Sequence, residues 1–231
     1  MPSDGIRLEA SLVTPAQGEA WPWAVLNPAG RNAKDAVFFD GFVAPLLERG
    51  FAVCRYEPRQ PQSDFWTRWS DLSALLQHVA RDFEMRETAL AGTGLGAILS
   101  MWWAVVNKSA AVISFGMPAP AKLGTVPRVM HDYLPPEQHE DELVPHPTNV
   151  ANFLALVGER DTGGMQRAET FGATVIRIAS ADKNFSGVRT RQVAFERAAS
   201  WLSATLQQNI HEREAAPEPG RAQDERRQEE Q

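Results

Sequence analysis

The sequence predicts an α/β fold, a doubly wound and mostly parallel sheet with helices on both faces. Two observations carry this prediction. Short apolar stretches of strand length alternate along the chain with longer stretches whose apolar residues recur at helical spacing. In addition, a glycine-rich turn at 92–96 joins an apolar strand to the segment 97–106, which is apolar on nearly every face. A helix of that kind is buried, so the unit 88–106 should lie at the centre of the fold.

The first part of the chain supplies two kinds of strand and one helix. Residues 5–13 alternate apolar and polar side chains, which predicts an edge strand, and 23–26 is a short buried strand. The segment 38–49 carries its apolar side chains on one helical face, and Gly50 gives it a C-terminal stop. A further buried strand is predicted at 51–56.

The middle of the chain is built around the glycine turn. A helix is predicted over 71–83, with Asp71 near its start. The strand, turn and helix of 88–106 follow, and then a buried strand at 110–115. Residues 117–149 are rich in proline and acids, which predicts an excursion or a small cap rather than a core element.

The last part alternates again between strands and helices. Strands are predicted at 151–157 and 174–178, and helices at 163–171 and 188–206. The chain after residue 208 is charged and has almost no large apolar side chains, so we expect residues 1–209 to form one domain and 210–231 a disordered tail.

The composition limits the function classes. The net charge of −6 disfavours nucleic acid as a partner, and no apolar run is long enough to cross a bilayer. The N-terminus shows no secretory leader, and the single Cys54 forms no internal disulfide, so a cytoplasmic protein is expected. His131, His139 and His146 lie among prolines and acids, which favours a solvated loop over a metal site. We expect neither a metal nor a cofactor.

The glycine turn has the spacing of a nucleophile elbow, whose pattern is Gly-x-Ser-x-Gly. Gly92 and Gly96 match that pattern, and Gly94 stands where the nucleophile belongs. A serine at such a turn carries backbone strain of about 1–3 kcal/mol, which a glycine avoids. Two alternatives remain open at this point: a flexible loop, or a nucleotide-binding turn of the Gly-x-Gly-x-x-Gly type with Ala97 in the last position.

Together with the elbow turn at 92–96, four segments in chain order, each at the end of a predicted strand, resemble the α/β-hydrolase superfamily, in particular its dienelactone-hydrolase and serine-aminopeptidase-like branches, over roughly residues 5–207. The turn at 92–96 follows the elbow pattern, and Arg55-Tyr56-Glu57-Pro58-Arg59-Gln60-Pro61-Gln62 resembles Arg-x-Asp-x-Arg-Gly-x-Gly with both glycines replaced. Gly158-Glu159-Arg160-Asp161 matches Gly-x-x-Asp, and Ala181-Asp182-Lys183-Asn184-Phe185 matches Ala-Asp-His-x-Phe. Asn27-Pro28-Ala29-Gly30 also falls where that superfamily often has its oxyanion loop.

The resemblance implies a degenerate catalytic triad. Asp161 takes the place of the acid, Lys183 that of the histidine and Gly94 that of the nucleophile. Acyl transfer needs a nucleophile, a base and an acid that orients the base, so we expect no serine-hydrolase activity. Lys183 either pairs with Asp161 as a structural ion pair or points into solvent. A rearranged site that uses His131 or His146 is the remaining catalytic alternative.

A ligand pocket can persist without the nucleophile, because backbone N–H groups and a helix N-terminus stabilise an anion. The candidate donors are Leu95 and the loop after Asn27, which includes Gly30 and Arg31. Trp66 and Trp69 either line the mouth or simply pack.

The sequence therefore favours a non-catalytic protein that binds a small acyl or carboxylate ligand or a protein partner. The alternatives are an active hydrolase or lyase-like enzyme with displaced residues, and a structural subunit that uses 117–149 or the tail as its contact surface.

Overall fold

A computed structural model describes residues 8–15, 21–28, 38–59, 65–83, 85–117, 121–122, 143–144 and 149–215. The strands are β1 (Glu9–Val13), β2 (Trp21–Asn27), β3 (Ala52–Glu57), β4 (Met85–Thr93), β5 (Ala111–Phe115), β6 (Ala121–Lys122), β7 (Leu143–Val144), β8 (Phe153–Gly158) and β9 (Thr174–Ile178). The helices are α1 (Asp40–Leu47), α2 (Phe65–Asp82), α3 (Leu95–Asn107), α4 (Thr162–Thr170) and α5 (Val188–Ala215).

The main sheet has seven strands in the order β1-β3-β2-β4-β5-β8-β9. Only β1 runs antiparallel to its neighbour, β3, and the remaining pairs are parallel. The parallel strands therefore all end at one edge of the sheet, where ligands bind in open α/β folds. The predicted fold class is confirmed.

Helices cover both faces of the sheet, and alternate residues of each strand point to opposite layers. In β2, Ala24 and Leu26 belong to the core under α1 and α5, whereas Trp23 and Val25 belong to the core under α2 and α3. The first layer includes an aromatic cluster in which the Phe42 ring stacks on Phe195 at 5.1 Å between ring centroids. A third cluster lies between α3, β5, β8 and α4. Because both faces of the sheet are buried, both sets of alternating residues are apolar, and the central strands therefore appear continuously apolar in the sequence.

Two helix boundaries differ from the prediction. Helix α2 begins at Phe65 rather than at 71, because Phe65, Trp69 and Leu72 continue its buried face toward the N-terminus. Asp71 is therefore a buried residue in the second turn and not an N-terminal residue of the helix.

Helix α5 continues to Ala215, beyond the domain boundary predicted at residue 209. Its last residues, Glu212-Arg213-Glu214-Ala215, are strong helix formers, and adding residues to an existing helix is much easier than starting one. The rest of the predicted tail lies outside the described residues.

The predicted excursion at 117–149 also lies mostly outside the described residues. Within it, β6 and β7 pair with each other in an antiparallel ladder. The histidines at 131, 139 and 146 fall outside the described part of the chain. None of the described helices is long and apolar enough to span a membrane.

Candidate functional site

The turn between β4 and α3 has the backbone geometry of an elbow. Gly94 is the N-cap of α3, with φ 53° and ψ −125°. A positive φ of this kind is unfavourable for a residue with a Cβ atom and is readily adopted by glycine. The predicted strand-to-helix turn at Gly94 is confirmed, and its central residue has a positive φ.

The two flanking glycines are needed for a different reason, which is close approach of backbone segments. A Cβ atom on Gly92 would lie closer than 3.0 Å to the backbone of Gly96 and Ala97. A Cβ atom on Gly96 would collide with the carbonyl oxygen of Asn27 and lie 2.6 Å from that of Pro28. The first turn of α3 is therefore packed directly against the end of β2.

A chain of buried hydrogen bonds joins the same two elements to each other and to β3. The Tyr56 hydroxyl donates to the Asn27 side-chain oxygen at 2.8 Å, and the Asn27 amide nitrogen donates to Ser100 Oγ at 2.7 Å. Ser100 in turn donates to the Gly96 carbonyl at 2.8 Å. Asn27 and Ser100 are fully buried, and burial raises the pKa of Tyr56, so its hydroxyl stays protonated and able to donate.

Asp161, at the end of β8, caps helix α4. Its side chain accepts a hydrogen bond from the Gly164 backbone N–H at 2.9 Å. The Arg167 guanidinium lies 4.0 Å from the same carboxylate oxygen and donates to the Met117 carbonyl at 2.7 Å. The carboxylate is thus held between the N-terminus of α4 and the Arg167 side chain.

Lys183 is exposed, and among the described residues Asp161 pairs with Arg167 and not with this lysine. The structure therefore shows the solvent-exposed alternative of the two that the sequence left open. The Lys183 main chain lies against the end of β5, because its carbonyl oxygen would be 2.8 Å from a Cβ atom on Gly116. Gly116 follows Phe115, which pairs with Thr93 directly before Gly94.

The loop that carries Lys183 is fixed by its own side chains. Asp182 accepts hydrogen bonds from the backbone N–H groups of Asn184 at 3.0 Å and Ser186 at 3.1 Å, and also from the Ser186 hydroxyl. These bonds, with that of the Ser186 hydroxyl foremost, lower the pKa of Asp182. Phe185 adopts a positive φ of 50° and is fully buried, which anchors the loop in the core.

The two tryptophans, Trp66 and Trp69, lie on helix α2, which begins before the predicted start at residue 71. Trp69 is 6 % exposed and contacts Trp103 at 5.3 Å between ring centroids, so it packs in the core and does not line a mouth. Trp66 is 50 % exposed. Of the residues predicted to line the ligand pocket with backbone donors, Asn27 is buried and Leu95 is half-buried, whereas Gly30 and Arg31 lie outside the described residues.

Several polar residues of the site were missed or misassigned from the sequence. Buried Asp71 accepts from the Arg59 backbone N–H at 2.8 Å and pairs with its side chain, which fixes the chain after β3. The signal for the buried hydrogen-bond chain was a polar residue inside an apolar element, such as Ser100 in α3. Cys54 behaves as expected for a buried thiol, because desolvation raises its pKa to about 12.

At the level of sequence, no protein-family model and no curated protein matches this chain. At the level of structure, it is similar to Est1E from Butyrivibrio proteoclasticus, with a TM-score of 0.66, 12% identity, and coverage of 88% of this chain and 96% of that one. A second structure of Est1E, with ferulic acid bound, gives a TM-score of 0.66 at 13% identity and covers 88% and 97%. The structure of an α/β serine hydrolase homologue from Coxiella burnetii gives a TM-score of 0.59 at 19% identity, and the alignment covers 83% of this chain and 89% of that one. The chain therefore has the α/β-hydrolase fold.

Proposed function

We propose that this chain is a non-catalytic protein of the α/β-hydrolase fold that binds a small acyl or carboxylate ligand at the sheet edge above Gly94. One observation carries the proposal: the elbow is intact in its backbone, but the residue at its apex has no side chain. A nucleophilic mechanism of the serine-hydrolase kind has no attacking atom at this place.

The other residues at the triad positions support the same view. Lys183 is exposed, and the Asp161 carboxylate is used to cap α4 beside Arg167. A serine hydrolase needs a base held by an acid and directed at the nucleophile. None of these residues forms such a pair in the described part of the chain.

The features that favour an anion remain present. The N-terminus of α3 lies at the apex of the elbow. The Ala97 N–H already bonds to the Gly94 carbonyl at 3.1 Å, so the N–H groups of Leu95 and Gly96 are those without an intrahelical acceptor. Ferulic acid, which occupies the structurally similar Est1E, carries a carboxylate on an apolar body. Ferulate and octanoate are therefore suitable probes for an aromatic and an aliphatic occupant.

The first test is of turnover. The purified protein should not hydrolyse p-nitrophenyl acetate above the background given by an unrelated protein. A rate that saturates with substrate and survives repeated purification would contradict the proposal and favour an enzyme with displaced residues.

The second test is of binding at the elbow. Ferulate or octanoate should raise the melting temperature, since a ligand at 100 times its Kd stabilises the native state by about 2.7 kcal/mol. Leu95→Pro should abolish the shift, because proline removes the N–H group at the first helical position, a place where the helix tolerates proline.

Leu95→Ala is the matched control, because it removes the same side chain but keeps the N–H group. If both variants fold and bind equally well, the ligand does not use the elbow. If neither probe shifts the melting temperature of the unmodified protein, the proposed ligand class is wrong and a structural subunit becomes the better account.

A further inference from the structure

The hydrogen-bond chain from Tyr56 through Asn27 and Ser100 to Gly96 crosses three elements of the fold. It begins near the end of β3, passes through the last residue of β2 and ends in the first turn of α3. Every donor in it points in the same direction, toward the Gly96 carbonyl. Such bonds polarise one another, and in a buried setting each of them is difficult to replace.

The chain ends at the contact that shapes the elbow. The carbonyl oxygens of Asn27 and Pro28 lie against the Cα atom of Gly96, so the backbone that leaves β2 touches the first turn of α3. The Asn27 side chain is therefore tied to the same turn that its own main chain contacts. Apolar side chains could fill this volume, but they would not fix the direction in which the Asn27 backbone leaves the strand.

We infer that Tyr56, Asn27 and Ser100 are positioning residues, which hold the end of β2 at Asn27 and Pro28 at a fixed distance from the first turn of α3. This inference rests on the proposed ligand site for its functional meaning. In that site the ligand binds the N–H groups at the start of α3. The bond from Ser100 to the Gly96 carbonyl and the contact of Gly96 with the end of β2 fix the direction of these N–H groups, and that direction decides how well they bind a carboxylate.

The experiment compares Tyr56→Phe and Ser100→Ala with Cys54→Ala in the full chain. Cys54 is a matched control, because it is buried on β3 two residues before Tyr56 and takes no part in the hydrogen-bond chain. Amide hydrogen exchange is measured by mass spectrometry, ferulate affinity by calorimetry and global stability by urea unfolding.

In Tyr56→Phe and Ser100→Ala, we expect amide protection at 26–27 and 94–97 to fall about tenfold, the factor for a bond worth about 1.4 kcal/mol. Protection in β9 should stay unchanged, and ferulate should bind more weakly. The control should lose global stability without this local change. Exchange that rises equally in the elbow and in β9 would show a purely structural role and overturn the inference.

A separate variant, Asn27→Asp, tests the direction in which hydrogen bonds are donated from Tyr56 to Gly96. An ionised carboxylate at this position cannot donate to Ser100, so Ser100 must turn away from Gly96 to donate in its place. A protonated carboxyl can donate as the amide does. The urea midpoint of this variant should therefore lie well below that of the unmodified protein at pH 7 and approach it as the pH falls, because burial raises the pKa of a carboxyl group. A deficit that does not change with pH would contradict the assigned direction.

The two proposals fail in different ways. If ferulate binds the unmodified protein and binds Tyr56→Phe equally tightly, the positioning role is wrong and the ligand site remains. In the opposite case, ferulate does not bind the unmodified protein, while exchange in Tyr56→Phe and Ser100→Ala rises only at the elbow. The proposed ligand site is then wrong, and the hydrogen-bond chain still holds the end of β2 against the first turn of α3.

Discussion

Three glycines with the same spacing as a nucleophile elbow are required for two different reasons. Gly94 is required by its backbone angles, since it has a positive φ. Gly92 and Gly96 are required by contact, since a Cβ atom on either would enter the van der Waals radius of neighbouring backbone. The sequence pattern predicted the turn correctly, but only the structure shows that backbone angles require the middle glycine and close contacts require the two flanking ones.

Gly96→Ala should therefore destabilise the protein strongly. The added methyl group meets the backbone carbonyls of Asn27 and Pro28, which cannot rotate away as a side chain can, so we expect a loss of about 3 kcal/mol or more. Urea unfolding measures this loss.

Gly163→Ala is the matched control, because Gly163 is also the second residue of its helix, α4. There the nearest atom to an added methyl group is the flexible guanidinium of Arg167 at 3.1 Å. Equal losses in the two variants would mean that the contact of α3 with the end of β2 is not tight.

At the scale of elements, the apolar patterns predicted the order of strands and helices, because buried strands and amphipathic helices have different periods. Helix α2 begins before the predicted start at residue 71, because its buried face continues back to Phe65. Helix α5 continues beyond the predicted end at residue 206, because helix propensity extends the helix where apolar residues become rare.

The loop 182–187 is an element whose rigidity depends on one carboxylate. Asp182→Ala removes the acceptor for the Asn184 and Ser186 backbone N–H groups, so exchange at these two amides should rise. The melting temperature should change little, since the buried Phe185 side chain still anchors the loop in the core. Exchange measured by NMR, residue by residue, tests this expectation.

The same loop should loosen in acid. Because the folded-state pKa of Asp182 is lowered, its bonds contribute stability above the unfolded-state pKa of about 3.9 and lose it as the pH falls through the folded value. Asp182→Asn, which keeps one side-chain oxygen as an acceptor but carries no charge, should remove this pH dependence. A loop that loosens identically in Asp182→Asn would show that another group is titrating.

At the scale of the whole molecule, the fold follows from strand order and two-sided burial, both of which are encoded locally. The site is not encoded in that way, because its parts come from the ends of β2, β4, β8 and β9, which are far apart in the sequence. The family resemblance suggested Gly94, Asp161 and Lys183. It gave no sign that Asp161 would cap α4 or that Tyr56 would reach Asn27, since these contacts depend on side-chain directions across neighbouring elements.

The last prediction asks whether the molecule as a whole still holds the geometry of a hydrolase. Gly94→Ser together with Lys183→His should allow a fluorophosphonate to label the introduced serine, whereas neither single variant should be labelled. Serine without a base stays protonated, and histidine without a nucleophile has nothing to activate, because the members of a triad act as a unit. The Lys183 main chain lies over the end of β5, the strand beside β4, so a histidine there starts from a position near the elbow.

The control for this repair is the same double variant with Asp161→Asn, which should label more slowly if the carboxylate leaves its helix cap to orient the histidine. Gly94→Ser should also reduce stability by about 1–3 kcal/mol, because a side chain is placed at a positive φ. Labelling is measured by mass spectrometry of the intact protein and of the peptide that contains residue 94. A double variant that folds, brings residues 94, 161 and 183 within hydrogen-bonding distance and still takes no label would contradict the prediction, because the triad arrangement alone would then not make the serine reactive. In that case the remaining backbone donors at the elbow could not be interpreted as a retained anion site.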